Sequence, residues 1–233
     1  MKYISEFFGM MMLILLNNGA VANTKLNGSG MKNENSALMI CIASGLAVFI
    51  PLYIFHDYCG AHFNPAVTIA LALTGQFPVS MIIPYILCQL TGAFCGACLV
   101  WVLYKEHFNI TEDGNVKRSI FCTSPSIRHT ASNLLSEIVG TFILTFAIAC
   151  LRKSCIEKQS CLFVFAVITS IGMSFGGLTG FAINPARDFG PRLAYGLLPI
   201  KNKKNDWGYC WIPVVGPILG SLVTTLIYYI LPW

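Results

Sequence analysis

The stretch Gly177-Leu178-Thr179-Gly180-Phe181-Ala182-Ile183-Asn184-Pro185-Ala186-Arg187-Asp188 decides how this chain folds. Its centre, Asn184-Pro185-Ala186, has an earlier copy at Asn64-Pro65-Ala66, about 120 residues before it. Asn is a favoured helix N-cap and Pro a favoured first helical residue, so each copy reads as a helix start. Each copy also lies beside a long apolar segment. A helix that begins inside a bilayer is a broken helix, tolerated only where it lines a cavity or packs on protein. Two broken helices in corresponding halves of one chain point to a solute path between them.

The rest of the chain supplies the bilayer setting. Of 233 residues, 55% are hydrophobic and 11% charged, against about 25% charged in ordinary soluble domains. Apolar runs near the length of a membrane span fall at about 3–22, 37–55, 81–104, 132–151, 161–179 and 209–231,. The shorter apolar segments, about 64–75 and 184–196, are too short to cross and read as half-helices. The expected fold is an all-α membrane protein with six transmembrane helices and two re-entrant half-helices. Lys2, the apolar run and Ala20-Val21-Ala22 resemble a cleavable leader,. The single lysine, Glu6 within the run and a counterpart later in the chain favour a retained first span instead. The last span runs to Trp233, so no regulatory terminal domain is expected.

Composition also excludes several functions. The net charge of +5 resides mostly in loops, which suits anionic lipid; no basic stripe marks a nucleic-acid partner,. Cys41, Cys88, Cys95, Cys98 and Cys150 lie in apolar stretches, where Cys acts as a small hydrophobe,. Cys155 and Cys161 flank a charged loop at a spacing unlike a zinc knuckle, and His56, His62, His107 and His129 do not pair with them,. No metal and no cofactor is expected. No pair of catalytic carboxylates and no nucleophile–base arrangement lies near the half-helices, so no enzymatic role is expected.

The two halves match. Glu6-Phe7-Phe8-Gly9 opens the first span and Glu137-Ile138-Val139-Gly140 the fourth. Each half then gives a second span, a half-helix and a third span. Three spans per half is an odd number, so the second copy enters the membrane inverted. The expected division is a first repeat over 1–110, a connecting loop over 111–130 within a polar stretch that starts at Lys105, and a second repeat over 131–233. Gly92 and Gly96, and Gly216 and Gly220, have the spacing of close helix crossings,.

In this arrangement the half-helices meet amino end to amino end. Their partial positive charges make a midplane region hostile to cations and protons. The amides of Asn64 and Asn184 are placed to donate to a passing molecule, besides capping their helices. Unwound backbone, about 58–63 and 176–183, offers carbonyl acceptors. Arg187 at membrane depth is a functional residue by default. Glu6 and Glu137, the carboxylates inside the spans, suit either a proton relay or acceptors for buried backbone N–H groups; the second reading is preferred.

The motifs at 60–68 and 177–192 together resemble the major intrinsic protein family of aquaporins and aquaglyceroporins, over nearly the whole chain. The resemblance implies that Arg187 lines the narrowest, outer constriction together with Gly172, Phe181 and Ser44. It implies that His62 lines the opposite half of the pore, and that Glu6 and Glu137 hold the re-entrant loops. It also implies a homotetramer with a pore in each subunit and both chain ends on the cytoplasmic side. That side would carry Lys2, Arg152, Lys153 and Lys158, while most other cations fall outside, against the positive-inside rule,.

Within the family, Gly172 is small where water-selective members typically have His. Asp188, Arg192 and Pro213-Val214 also resemble the glycerol facilitators. Ser44 departs from that branch, which commonly carries Trp there, and the expected constriction is wider and less apolar. The function implied is passive passage of glycerol and other small neutral solutes, urea and larger polyols among them, and water, across a cell membrane of bacterial type. A water-selective channel and a secondary transporter built from inverted repeats are the alternatives.

Overall fold

The computed structural model describes residues 1–33, 36–153 and 159–231. Cys155, Lys158 and Trp233 lie outside the described residues, as do the side chains of Arg152 and Lys153. Among the described residues the structure is helical, without β-strands. The first half contains α1 (Lys2–Lys25), α2 (Ala37–Cys59), α3 (Pro65–Leu73) and α4 (Ile82–Leu103). Two short helices, α5 (Lys105–Ile110) and α6 (Gly114–Phe121), form the connection. The second half contains α7 (Thr130–Lys153), α8 (Gln159–Thr179), α9 (Pro185–Leu197) and α10 (Ile212–Ile230). Among the described residues six helical segments, carrying α1, α2, α4, α7, α8 and α10, are long and apolar enough to cross a membrane.

Contacts between elements obey the repeat. In each half the first span packs on the second and third: α1 on α2 and α4, α7 on α8 and α10. Each half-helix also packs on the third span of the other half, α3 on α10 and α9 on α4, and α2 meets α8. The α1–α4 crossing is close because Gly92 and Gly96 lack a Cβ. One added at Gly96 would lie 2.6 Å from the Met11 carbonyl oxygen, and one at Gly92 would overlap that of Phe7. In the second half a Cβ at Gly216 or Gly220 would lie 2.6 Å from Glu137 Cβ or the Ile138 carbonyl oxygen. Backbones this close gain dispersion contacts that lipid cannot replace.

The connection differs from the expected polar loop. Asp113 caps α6 by accepting from the Asn115 N–H at 2.8 Å, and Ile120 and Phe121 are fully buried. The apolar turn of α6 packs on α1 and α9. A polar segment thus becomes an ordered brace because its few apolar residues share one helical face.

Candidate functional site

The second and eighth helices end alike. Gly60 (φ 72°) and Gly180 (φ 84°) adopt the left-handed conformation. Their N–H groups donate to the carbonyls of His56 and Gly176, which terminates α2 and α8 as C-caps,. The chain then runs unwound for four residues, 60–63 and 180–183, before Asn64 and Asn184. The expected unwound segments, 58–63 and 176–183, are therefore too long at their starts, since α2 and α8 persist to Cys59 and Thr179.

Within these segments Ala61 (47°), Phe63 (47°), Phe181 (40°) and Ile183 (42°) also have positive φ, at matching positions. Left-handed backbone costs a residue with a Cβ about 1–2 kcal/mol. The conformation turns successive N–H groups to one side as a nest for an anion, and each half supplies one. Glu6 accepts from the N–H groups of His62 (2.7 Å) and Phe63 (2.9 Å), and from Gln89 Nε2 (2.9 Å). Glu137 accepts from the N–H groups of Ala182 (3.0 Å) and Ile183 (2.8 Å), and from the Thr179 hydroxyl (2.7 Å). Both carboxylates are buried. The Gly three residues after each Glu makes room for the loop it holds. A Cβ at Gly9 would overlap the Phe63 ring, and one at Gly140 would lie 3.1 Å from Ile183 Cγ2.

A trans peptide points its carbonyl opposite to its N–H. With the N–H groups of 62, 63, 182 and 183 turned to the glutamates, the carbonyls of Ala61, His62, Phe181 and Ala182 point away from them. These residues line a cavity of about 520 Å³ that runs between the halves.

The two Asn side chains join the segments. Asn64 Oδ1 accepts from the Ala66 N–H (2.9 Å), and its Nδ2 donates to the Ile183 carbonyl across the repeat (2.9 Å). Asn184 Oδ1 accepts from the N–H groups of Ala186 (3.0 Å) and Arg187 (3.1 Å), and its Nδ2 donates to the Phe63 carbonyl (2.8 Å). Pro65 and Pro185 occupy the first helical positions, and Ala66 and Ala186 are fully buried. Each amide has two N–H hydrogens; the reciprocal bond uses one and leaves one for a molecule in the cavity, which both Asn residues line.

Arg187 lines the same cavity beyond Asn184, and its Nη1 lies 3.4 Å from the Phe121 carbonyl. Phe181 also lines it, but Gly172 does not. A Cβ at Gly172 would lie 2.9 Å from Phe181 Cζ and 3.1 Å from Cys41 Sγ. Gly176, one turn along, would bring a Cβ within 2.9 Å of Phe181 Cδ1. The space beside Gly172 is thus occupied by the Phe181 ring, seated on a two-glycine groove. Gly176 was not foreseen, although its spacing from Gly172 marks one helix face.

His62 lines the cavity from the other loop. Its Nδ1 is 3.1 Å from Thr68 Oγ1, and its ring packs on Phe77 and Tyr85 with centroids 4.6 and 5.2 Å away. Asp188 is turned away from the cavity and fully buried. It accepts from the N–H and hydroxyl of Thr123, both at 2.7 Å, and pairs with buried Arg192 at 2.8 Å. Arg192 in turn donates to the carbonyls of Thr123, Asn205 and Asp206. Asp188 and Arg192 therefore tie the end of the connection and the loop before α10 to α9. Ser44 lines the cavity, and so does Asn17, which sequence reasoning missed. The available signal was a polar Asn17-Asn18 pair inside an apolar span.

Comparisons with known proteins agree with this geometry. The sequence profile described as major intrinsic protein matches residues 1–228. The chain is 45% identical over 229 residues to a probable glycerol uptake facilitator protein of Thermotoga maritima, covering 97% of each chain. It is 44% identical over 231 residues to a glycerol uptake facilitator protein of Streptococcus pneumoniae, again covering 97% of each. The X-ray structure of the aquaglyceroporin from Plasmodium falciparum superposes with a TM-score of 0.84 at 31% identity, covering 97% of this chain and 94% of that one. With six apolar spans and two inverted half-helices that meet through reciprocal Asn bonds, this chain is a multi-pass membrane protein and belongs to the major intrinsic protein family.

Proposed function

We propose that this chain is a passive channel of the cell membrane for glycerol and other small neutral solutes, polyols and urea among them, and for water, and that it excludes ions and protons. The observation that carries the reading is the junction of the half-helices. Two amides, each with an unused hydrogen, stand at two helix amino ends, beside carbonyls turned into one continuous cavity. A hydroxyl group exchanges its water hydrogen bonds there one at a time, and the aligned dipoles oppose a cation at the same point. Leu13, Val48, Leu144, Ile168 and Val67 give the cavity apolar wall. A solute with one apolar edge therefore passes without strong binding. Arg187 supplies donors to hydroxyls, Phe181 an apolar face, and Ser44 and His62 polar lining; Gly172 acts through the seat it gives Phe181. Glu6, Glu137 and Asp188 position the loops. The repeats at 1–110 and 131–233, joined through 111–130, are the two units of the channel.

The test is stopped-flow light scattering on proteoliposomes. Fast, non-saturating re-swelling in an inward glycerol gradient, unaffected by an imposed pH gradient, is expected. Shrinkage in sucrose without glycerol re-swelling would identify a water-selective channel instead, and flux driven by a proton gradient a transporter. A homotetramer follows from the family resemblance; its mass in detergent by light scattering tests it.

A further inference from the structure

The spanning helices give the cavity a mostly apolar wall, with His56 on α2 and Ser160 on α8 as polar exceptions and a further polar pair where α1 meets α2 near Phe181. There Ser44 Oγ lies 2.7 Å from Asn17 Oδ1 and 2.8 Å from the Ile40 carbonyl oxygen. Asn17 Nδ2 donates to Asn18 Oδ1 at 2.9 Å, and Asn18 is itself fully buried, which fixes the orientation of the Asn17 amide. Both Asn17 and Ser44 line the cavity. One turn away on the same helices the lining residues are Leu13 and Val48, so the polar pair interrupts an apolar wall,. Ser44 is three residues from Cys41, which touches the Phe181 seat, or about 4.5 Å along the helix,.

The hydrogen bonds within the pair do not exhaust it. An amide carbonyl has two lone pairs, an amide nitrogen two hydrogens, and a hydroxyl oxygen two lone pairs. One N–H donor and several acceptor sites are therefore left at the cavity surface, the complement of a hydroxyl group. They belong to α1 and α2, whereas Asn64, Asn184 and Arg187 belong to the re-entrant segments. The cavity thus has hydrogen-bonding groups on two separate walls at this end.

We propose that Asn17 and Ser44 form a second hydrogen-bonding station, which selects linear polyols with hydroxyl groups on both faces of the carbon chain. The inference rests on the channel reading above and names its solute class more closely. A solute with hydroxyls on one face satisfies the re-entrant wall and lays carbon against Asn17 and Ser44, which strips water from the pair without replacing its bonds. A solute with hydroxyls on both faces replaces them.

Erythritol and threitol separate these cases, because they contain the same atoms. With the carbon chain extended, the inner hydroxyls of erythritol point to opposite faces and those of threitol to the same face. Proteoliposomes are assayed for re-swelling in each tetritol and in glycerol. The unaltered protein is expected to pass erythritol faster than threitol. Asn17→Leu is expected to lower the erythritol-to-threitol ratio about three- to tenfold, the weight of one hydrogen bond. The ratio is independent of how many channels are active, so partial misfolding does not mimic the effect. Ser44→Ala, which removes the hydroxyl at nearly constant volume, is expected to shift the ratio the same way and covers the case in which Asn17→Leu does not fold. An unaltered protein that conducts glycerol but prefers threitol, or a ratio that both variants leave unchanged, overturns the station and leaves the channel standing. An unaltered protein that conducts no glycerol overturns the channel reading itself.

Discussion

The two re-entrant segments share a backbone and differ in what they carry. Positions 60, 61 and 63 have the same φ signs as 180, 181 and 183, and each loop hangs from one buried glutamate and reaches the other through one Asn amide. The side chains diverge. The first loop has Ala61 and His62 where the second has Phe181 and Ala182, so bulk and polarity change places. The second half-helix is also longer, 13 residues against 9, and bears Arg187 and the Asp188–Arg192 pair. One scaffold, used twice, thus yields two unlike ends of a pore. The groups that fix the loops and the two Asn amides are repeated; the other side chains that line the cavity, His62 in the first half and Phe181 and Arg187 in the second, are not.

Four experiments break or sharpen that comparison. The largest effect is expected from the feature without a counterpart in the first half. Asp188→Ala leaves Arg192 charged, buried and unpaired, at about 3–5 kcal/mol, and also orphans the buried Thr123 N–H, at about 1–3 kcal/mol more,. Thermal unfolding in detergent should show the loss, or the protein should fail to accumulate. Next come the repeated glutamates. Glu6→Ala and Glu137→Ala each orphan two buried backbone N–H groups, at about 1–3 kcal/mol per group. Because the acceptors serve the same positions, the two losses should agree within about 1 kcal/mol, the usual scatter of such contacts. A loss confined to one variant would show that the halves are not equivalent supports.

Gly172→Ala probes the asymmetric end alone. The new methyl meets Phe181 and Cys41 and should cost about 1–3 kcal/mol through overpacking, or displace the ring into the cavity,. The second outcome is read as slower glycerol flux with unchanged stability. The smallest effect belongs to the paired C-caps. Gly60→Ala and Gly180→Ala each put a Cβ at positive φ, at about 1–2 kcal/mol,. At Gly180 the new Cβ would also come within 3.2 Å of Thr123 Cβ, which adds to the loss there. Thermal unfolding of each variant in detergent measures the loss, and a variant as stable as the unaltered protein would show that the C-cap position tolerates a Cβ.

The excess of cations in the loops beside α9 also has a structural account. Lys203 Nζ donates to the carbonyls of Gly196 and Leu198 at the end of α9, where a cation complements the helix dipole,. Lys117, buried, donates to the Lys201 carbonyl, Arg118 to that of Lys204, and Arg128 pairs with Asp206. These charges are held by protein groups, so their number reports loop anchoring as much as the orientation of the chain.

Much of this was legible in the sequence. The six spans follow from apolar length, the two helix starts from Asn followed by Pro, and the inversion from an odd number of spans per half. Even the Glu-x-x-Gly pair at the head of each repeat was visible as a pattern. All of these are local signals, set by hydrophobic periodicity and by the few residues that cap or break a helix. What only the tertiary structure decided lies between segments distant in the chain. The reciprocal Asn64 and Asn184 bonds, the Phe181 ring on Gly172 and Gly176, the turning of Asp188 away from the cavity, and the meeting of Asn17 with Ser44 all depend on how the two halves interlock. A side chain's partner is fixed by the packing of whole helices; small-residue spacings such as Gly92–Gly96 mark a face that packs closely, but not which helix it will meet.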